Sequence, residues 1–505
     1  MKNPNKDYEK LHAISRKAKV LDGVTSLLDW DQETYMPPDG AGIRAEQLKT
    51  LAGITHQMKT SKKFSNALEK LIEVESGKII GKNLDDAQKS ALRCWRRDYL
   101  LAKALPTKFV EEFAQLTSQA TQVWRNARKE NAFHQFAPFL EKIVQMVKKK
   151  ADLIGYKEHP YDALIDLYEH GISTKEVSEV FAKLRKSIAP LIDKISKKTV
   201  NDSFLYGQFP QDQQIKFGHE ILKAMDYDLS KGRLDLSAHP FSSACHPTDS
   251  RITTRVNEKS IMSNIGAVIH ECGHALYEMG LPVDQYGSPL GEAVSLGMHE
   301  SQSRWWETRI GLSKPFWKYF YPSLKQHFKG KFDAISLDDF YKGINKAEPS
   351  LIRIEADEVT YPLHIVLRFE LELALIEGKL KVRDLPEAWN AKIKELLHVS
   401  PKNNAEGCLQ DIHWSMGAFG YFPTYALGTM YASHLFLAFA KDHPDWQERV
   451  SKGDLKFIKD WLHKTVYQYG RHYTSKELLL NATGRPFSSD AFVDYLKAKY
   501  DDILK

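Results

Sequence analysis

Cysteine is scarce in this chain of 505 residues. Only four are present, at Cys94, Cys245, Cys272 and Cys408, and no two of them form a C-x-x-C pair. Cysteines this widely spaced do not build a disulfide framework, and they fit a reducing compartment better than an oxidising one.

Long apolar runs are missing as well. The first stretch, Met1–Lys19, is polar and charged and lacks the apolar core of a signal peptide. No run of about 18 apolar residues occurs, so we expect no transmembrane span. The sequence therefore predicts a cytoplasmic protein without a membrane partner.

A strong charge of one sign is also absent. The net charge of +6 is small against 71 basic and 65 acidic residues, so we expect no nucleic-acid partner. The hydrophobic share of 42% and the charged share of 27% place the chain among ordinary globular proteins.

Alternating, strand-like patterns are rare, and most of the chain has helical periodicity. The exception is Arg251–Val256, which is β-branched and alternating and predicts a short strand or hairpin arm. We therefore expect an all-α protein with a minor β element. Composition shows no boundary, so residues 1–505 are interpreted as one catalytic unit with room for two lobes.

One helix carries the main chemical motif. The apolar spacing of Ile261–Met279 predicts a helix that contains His270, Glu271 and His274. The two histidines are about 40° apart around the axis, one turn above each other, so both can reach one metal ion. Glu271 would lie beside a metal-bound water and accept its proton.

The alternative is that the motif is accidental or a packed pair of core histidines. With 19 histidines in the chain, a chance H-E-x-x-H is expected only on the order of a few per cent of the time. Gly266 and Gly273 weaken the same helix by about 1 kcal/mol each against alanine, so we expect close approach of another backbone or of substrate there.

A third metal ligand is needed, because catalytic zinc usually has three protein ligands. A helix is predicted over Ser288–Ile310, with Ser288 as N-cap and Gly311 as C-terminal cap. Glu292 and Glu300 compete on it. Spacing does not decide between them, but Glu300 is favoured because it is mid-helix, whereas the helix dipole explains an acid in the first turn.

Of the residues near Glu300, only His299 has several open interpretations. His299 is either a substrate group, a support for the metal ligands, or a packed histidine. Trp305 and Trp306 are interpreted as core residues.

These residues together resemble the carboxypeptidase Taq family of metallocarboxypeptidases. The stretches that carry the resemblance are His270–His274, His299–Gln302, His239–Phe241, Asp249–Thr253, Ile352–Asp357, Gly407–Trp414, Leu28–Asp31 and Met36–Pro37. They are spread in order over nearly the whole chain, so the resemblance is specific.

The resemblance implies a saddle-like, bilobed helical fold with a deep groove, similar to neurolysin-type peptidases. It also implies release of single residues from peptide C-termini with broad specificity, one zinc ion per chain, and a homodimer. It assigns Glu300 as the third ligand beside His270 and His274. Cobalt or manganese could bind to the same ligand set, because coordination geometry and metal availability decide which ion occupies a site.

Further roles follow from the resemblance and from chemistry. Neurolysin-type sites imply Tyr425 as the donor to the oxyanion, with Tyr421 as second candidate; the alternative is that either ring is core. Arg353 is the candidate for binding the C-terminal carboxylate of the substrate, because its guanidinium group can donate to both carboxylate oxygens. The alternative is an ion pair with another acid, such as Glu355 or Asp357.

Two more residues are candidates for substrate binding. Arg251, fixed by Asp249, could build a closed end of the groove, and His413 could bond the substrate backbone. Asp411 is interpreted as a residue that orients its neighbours.

Other functions remain open on the same residues. An endopeptidase or a dipeptidyl carboxypeptidase would need the same metal site with an open groove. A non-enzymatic, zinc-stabilised binding protein is disfavoured, because a structural site has no use for a general base such as Glu271.

Overall fold

Helices make up nearly all of the regular structure in the computed structural model, which describes residues 5–505. The first four residues of Met1–Lys19 lie outside that range. The α-helices are α1 (Lys6–Thr34), α2 (Ala41–Lys59), α3 (Lys62–Glu69), α4 (Asp86–Ala104), α5 (Thr107–Lys129), α6 (Phe133–Ile154), α7 (Pro160–Ile165), α8 (Thr174–Ile195), α9 (Gln211–Ala224), α10 (Ile261–Gly280), α11 (Leu296–Arg304), α12 (Lys314–His327), α13 (Leu337–Ile344), α14 (Tyr361–Ile376), α15 (Leu385–Leu397), α16 (Pro423–Asp442), α17 (Trp446–Ser451), α18 (Lys456–Thr465), α19 (Ser475–Thr483) and α20 (Asp490–Ile503). The prediction of a mainly helical protein is confirmed. Among residues 5–505, no helix is both long enough and apolar enough to cross a bilayer.

One small sheet precedes the helix that bears the motif. Its strands are β1 (Leu234–Leu236), β2 (Ser242–His246) and β3 (Asp249–Thr254), in the order β1-β3-β2. Strands β2 and β3 form an antiparallel hairpin, and β1 runs parallel to β3. The predicted strand around Arg251 is therefore confirmed as a hairpin arm.

The chain divides into two compact units. The first contains the described residues of Met1–Lys103, together with Asn201–Ile344 and His434–Pro486, and it holds the sheet, α10 and α11. The second contains Ala104–Val200, Asn345–Ser433 and Phe487–Lys505. The interpretation of residues 1–505 as one catalytic unit stays a prediction.

Helix α10 lies in the core of the first unit, between the sheet, α9 and α11. Its side chains Ile265, Val268, Cys272 and Leu276 are completely buried. A helix that is apolar on most of its surface is stable only when it is covered on most sides, so α10 is a fixed base for the groups it carries.

The two glycines of α10 differ. A Cβ atom on Gly273 would lie 2.7 Å from Cα of Ser303 and 2.8 Å from the carbonyl oxygen of Gln302. The expected close approach of another backbone is therefore present at Gly273. A Cβ atom on Gly266 would meet no described atom within 4 Å.

The predicted start of the second helix, at Ser288, is wrong. Ser288 caps a short 3₁₀ turn, Pro289–Gly291, and Glu292 after it is extended, with φ −123° and ψ 153°. Helix α11 begins at Leu296, because the hydroxyl of Ser295 accepts the amide of the third residue of that helix.

The end of this helix is also irregular. After α11 the chain continues as a π-helix, Trp305–Gly311, and Leu312 closes it. Gly311 is thus the last residue of the π segment instead of a left-handed cap. Trp305 and Trp306 are fully buried, which confirms them as core residues.

Candidate metal centre and active site

Helices α10 and α11 bring three potential metal ligands together. One ligand atom each from His270, His274 and Glu300 lies within 4.8 Å of the other two. Nε2 of His270 is 3.7 Å from Oε2 of Glu300, and Nε2 of His274 is 3.5 Å from the same oxygen. Ligands of a tetrahedral zinc ion with bonds of about 2.0–2.1 Å would be about 3.3 Å apart, so this set fits a divalent cation.

The outward nitrogen of His270 is held by a carboxylate. Its Nδ1 lies 2.8 Å from Oε2 of Glu307, which in turn accepts a hydrogen bond of 2.8 Å from Nη1 of Arg304. Glu307 is in the π-helical segment. A carboxylate on the far nitrogen fixes the imidazole with Nε2 toward the metal position.

The outward nitrogen of His274 contacts a second imidazole. Nδ1 of His274 is 2.6 Å from Nδ1 of His299, and Nε2 of His299 is 2.9 Å from Oε1 of Glu278. Both ring nitrogens of His299 are thus occupied by protein groups. Of the interpretations left open for His299, this geometry favours a support for a metal ligand over a substrate group.

Glu271 follows His270 on α10 and is buried, with 7% of its surface exposed. Burial raises the pKa of Glu271 to about 7, and the carboxylates of Glu300 and Glu307 act in the same direction, against the opposing effect of His270. A carboxylate with a pKa near neutral pH is suited to accept and return a proton.

The ligand groups influence one another's ionisation. Burial lowers the pKa of His274 to about 4. Burial acts in the same direction on His270, but the carboxylates of Glu300 and Glu307 outweigh it and raise its pKa to about 9. Burial would raise the pKa of Glu300, yet the two imidazoles hold it below its ordinary value. The carboxylates of Glu300 and Glu307 therefore favour positive charge at His270.

Glu292, the competing third ligand, belongs to another group of charges. Its carboxylate lies 3.1 Å from Nζ of Lys19 and 3.0 Å from Nη1 of Arg471. Arg471 also pairs with Asp98 at 2.8 Å. These contacts account for Glu292, and they support the choice of Glu300.

Arg353, in the second unit, forms a buried ion pair. Its Nη2 lies 2.8 Å from Oδ1 of Asp411, and Nη1 donates to the hydroxyl of Tyr361 at 3.1 Å. The other oxygen of Asp411 pairs with Arg368, whose side chain is fully buried, at 2.5 Å. The ion pair considered as an alternative for Arg353 is present, with Asp411 as the acid. The cluster still carries two guanidinium groups for one carboxylate.

His413, Tyr421 and Tyr425 form a cluster of rings in the second unit. Nε2 of His413 is 3.1 Å from the hydroxyl of Tyr425, and the two tyrosine ring centroids are 5.4 Å apart. Tyr425 is in the first turn of α16, and Tyr421 precedes that helix. Burial lowers the pKa of His413 to about 4, so its ring is neutral near pH 7.

Arg251 is fixed on strand β3 as expected. Its Nε and Nη2 lie 2.7 and 2.9 Å from the two carboxylate oxygens of Asp249, and its guanidinium lies 4.5 Å from the ring centroid of Trp30. The carboxylate and the ring hold the side chain in one orientation.

Several residues of these networks were not found from the sequence. Glu278 is one helical turn after His274, and that spacing on a predicted helix could have indicated it. Arg368 directly follows the apolar run Ile365–Leu367 in α14, and a charged residue at the end of such a run also marks it. Glu307 and Arg304 had no such signal, because they depend on the π-helical segment.

Comparison with known proteins gives the family. A family model described as carboxypeptidase Taq (M32) metallopeptidase matches residues 10–500. "Thermostable carboxypeptidase 1" of Thermus thermophilus is 40% identical over 98% of this chain and 99% of its own length. "Carboxypeptidase 1" of Bacillus subtilis is 37% identical over 98% of this chain and 97% of its own.

Solved structures agree with these relatives. The M32 carboxypeptidase from Deinococcus radiodurans has a TM-score of 0.95 at 33% identity, and it covers 99% of both chains. A Pyrococcus furiosus carboxypeptidase structure has a TM-score of 0.94 at 37% identity, also over 99% of both chains. The resemblance seen in the sequence motifs is thus confirmed, and the chain belongs to the carboxypeptidase Taq (M32) family of metallopeptidases.

Proposed function

We propose that this protein releases single amino acids, with broad specificity, from the free C-termini of peptides, with a metal held by His270, His274 and Glu300. Membership of the family makes the chain a peptide hydrolase of the metallocarboxypeptidase class, as expected from the sequence. The observation that supports the site is the convergence of three ligand atoms within 4.8 Å, next to the buried carboxylate of Glu271.

The residues of α10, α11 and the π-helical segment have separate tasks in this proposal. When bound, the metal supplies Lewis acidity to the scissile carbonyl and to a water molecule. Glu271, a buried carboxylate next to the three potential ligands, would take a proton from the attacking water and transfer it to the leaving amine. Glu307 and His299 hold the ligand imidazoles in place through their outward nitrogens.

We assign the substrate-facing roles to the residues that the family motifs indicate. Tyr425 donates to the oxyanion, with Tyr421 as second candidate, and His413 bonds the substrate backbone. Arg353 binds the C-terminal carboxylate, which the excess of guanidinium groups around Asp411 supports. To Arg251, whose side chain Asp249 fixes, we assign the closed end of the groove that the family resemblance implies.

We further propose zinc as the native metal, with cobalt or manganese as substitutes, because two imidazoles and one carboxylate suit all three ions. The four cysteines are free thiols, which supports a cytoplasmic location. A homodimer is the proposed oligomeric state. Light scattering on a purified sample would give one mass of twice 57.9 kDa if this is correct.

The test is cleavage of an unblocked peptide of about ten residues, followed by mass spectrometry, with the same peptide amidated at its C-terminus beside it. A ladder of single residues lost only from the unblocked peptide is expected. It should vanish with a chelator and with Glu271→Gln, and persist with Glu220→Gln, a matched change on α9. Internal cuts or dipeptide release would reject the carboxypeptidase assignment and keep the metal site.

A further inference from the structure

The two ligand imidazoles are supported in different ways. Nδ1 of His270 contacts a carboxylate directly, at 2.8 Å from Glu307. Nδ1 of His274 instead contacts the ring of His299 at 2.6 Å, and the carboxylate of Glu278 follows at 2.9 Å on the far side of that ring. One more imidazole is therefore interposed on the His274 side.

The positions of the protons follow from these contacts. A short contact between two ring nitrogens needs one N–H and one lone pair. Nε2 of His274 faces Glu300 and must keep its lone pair for the metal, so the proton of His274 is on Nδ1. His299 then accepts at Nδ1 and carries its own proton on Nε2, which it donates to Glu278.

We propose that His299 and Glu278 are positioning residues for the metal site: together they fix the tautomer and the orientation of His274. The inference rests on the proposed role of His274 as a metal ligand. The charge of Glu278 polarises the ring of His299, and this makes Nε2 of His274 a stronger electron-pair donor to the metal. A carboxylate that contacts a ligand histidine directly has the same effect.

The surrounding structure holds the His274–His299–Glu278 relay in place. Glu278 is on α10, one turn beyond His274, and His299 is on α11 beside Glu300. The ring of Tyr277 packs against the ring of His299, with the two ring centroids 5.4 Å apart. Burial would raise the pKa of Glu278, but the hydrogen bond and the charge interaction with His299, together with the positive charge of Lys19, hold it below its ordinary value. The terminal carboxylate therefore stays ionised.

The first measurement is the zinc affinity of chelator-treated protein, by competition with an indicator chelator. Glu278→Gln and His299→Phe should each weaken zinc binding by about 10- to 100-fold. The matched controls are Glu220→Gln and His327→Phe, which break a similar pair with its atoms 3.2 Å apart, away from the metal ligands. They should change zinc affinity less than about twofold.

A second readout separates positioning from general damage to the fold. In the zinc-loaded wild type, ¹⁵N spectra of labelled histidine should show that His274 carries its proton on Nδ1. The signal of that proton should be shifted downfield by its strong hydrogen bond to His299. That shift should move in Glu278→Gln. Wild-type zinc affinity and an unmoved signal in Glu278→Gln would overturn the relay. If the wild type and His274→Ala bind zinc equally poorly, the proposed metal site fails instead.

Discussion

Replacement of Gly273 by alanine tests whether the metal site depends on the close approach of α10 and α11. The new Cβ atom would lie 2.7 Å from Cα of Ser303 and 3.1 Å from the carbonyl carbon of Gln302. These are backbone atoms, so α11 has to move by roughly 0.5–1 Å, and overpacking of this kind costs about 1–3 kcal/mol.

In the proposed site, the displacement acts on the metal through Glu300, three residues before Ser303 on α11. Metal sites tolerate errors of only about 0.5 Å, so we expect zinc affinity to fall at least about tenfold. Urea unfolding of chelator-treated protein would measure the loss of stability, and competition with a chelator would measure the affinity.

Gly266→Ala is the matched control, since a side chain there would meet no described atom within 4 Å. Alanine in place of glycine in a helix should stabilise the protein by about 0.5–1 kcal/mol and leave zinc affinity unchanged. If Gly273→Ala retained the affinity and stability of the wild type, the reasoning from backbone approach would be refuted. If Gly266→Ala weakened zinc binding as well, the loss of affinity would reflect a general sensitivity of α10 to substitution and not the close approach at Gly273.

Three further predictions follow from the buried charges. Glu307→Gln should weaken zinc binding by about 10- to 100-fold in the same chelator competition, because it removes the carboxylate behind the first ligand histidine; an unchanged affinity would contradict this. Asp411→Asn should destabilise the protein by about 3–5 kcal/mol in urea, because the guanidinium groups of Arg353 and Arg368 lose their counter-charge; a loss below about 1 kcal/mol would reject that account. Burial raises the pKa of Glu372 to about 7, so its contribution to stability is complete below the ordinary value of 4.5 and is lost as the pH rises through 7. Relative to Glu372→Gln, the wild type should therefore lose up to about 3 kcal/mol between pH 5 and pH 8, and parallel stability profiles would contradict the shift.

Local patterns in the sequence were enough to predict the arrangement of the three potential metal ligands. Helix α10 was predicted over Ile261–Met279 and is found over Ile261–Gly280, because its apolar spacing is regular. The four-residue spacing of His270 and His274 determines their relative position on any helix. The order of residues also placed Glu300 on the following helix, although that helix begins later than predicted.

The sequence was insufficient where two alternatives have the same local signal. Ser288 and Ser295 both precede short helical segments and both act as caps, so composition alone could not choose the start of α11. The pairing of Arg353 with Asp411 joins residues 58 positions apart, and no periodicity predicts it. The saddle shape with its groove, and the approach of Tyr425 to a substrate, stay predictions.

The orientation of His270 and His274 has a consequence, under the proposed function, for how the enzyme acquires its metal in a cell. Glu307 and His299 are part of the polypeptide, and α10 is seated in an apolar core, so folding can arrange the ligands before any ion arrives. Which ion is bound is then determined after synthesis, when the divalent metals in the cell compete for a site that has already folded. The active fraction would follow the cell's metal supply, and starvation for that metal would leave a folded reserve that becomes active without new translation.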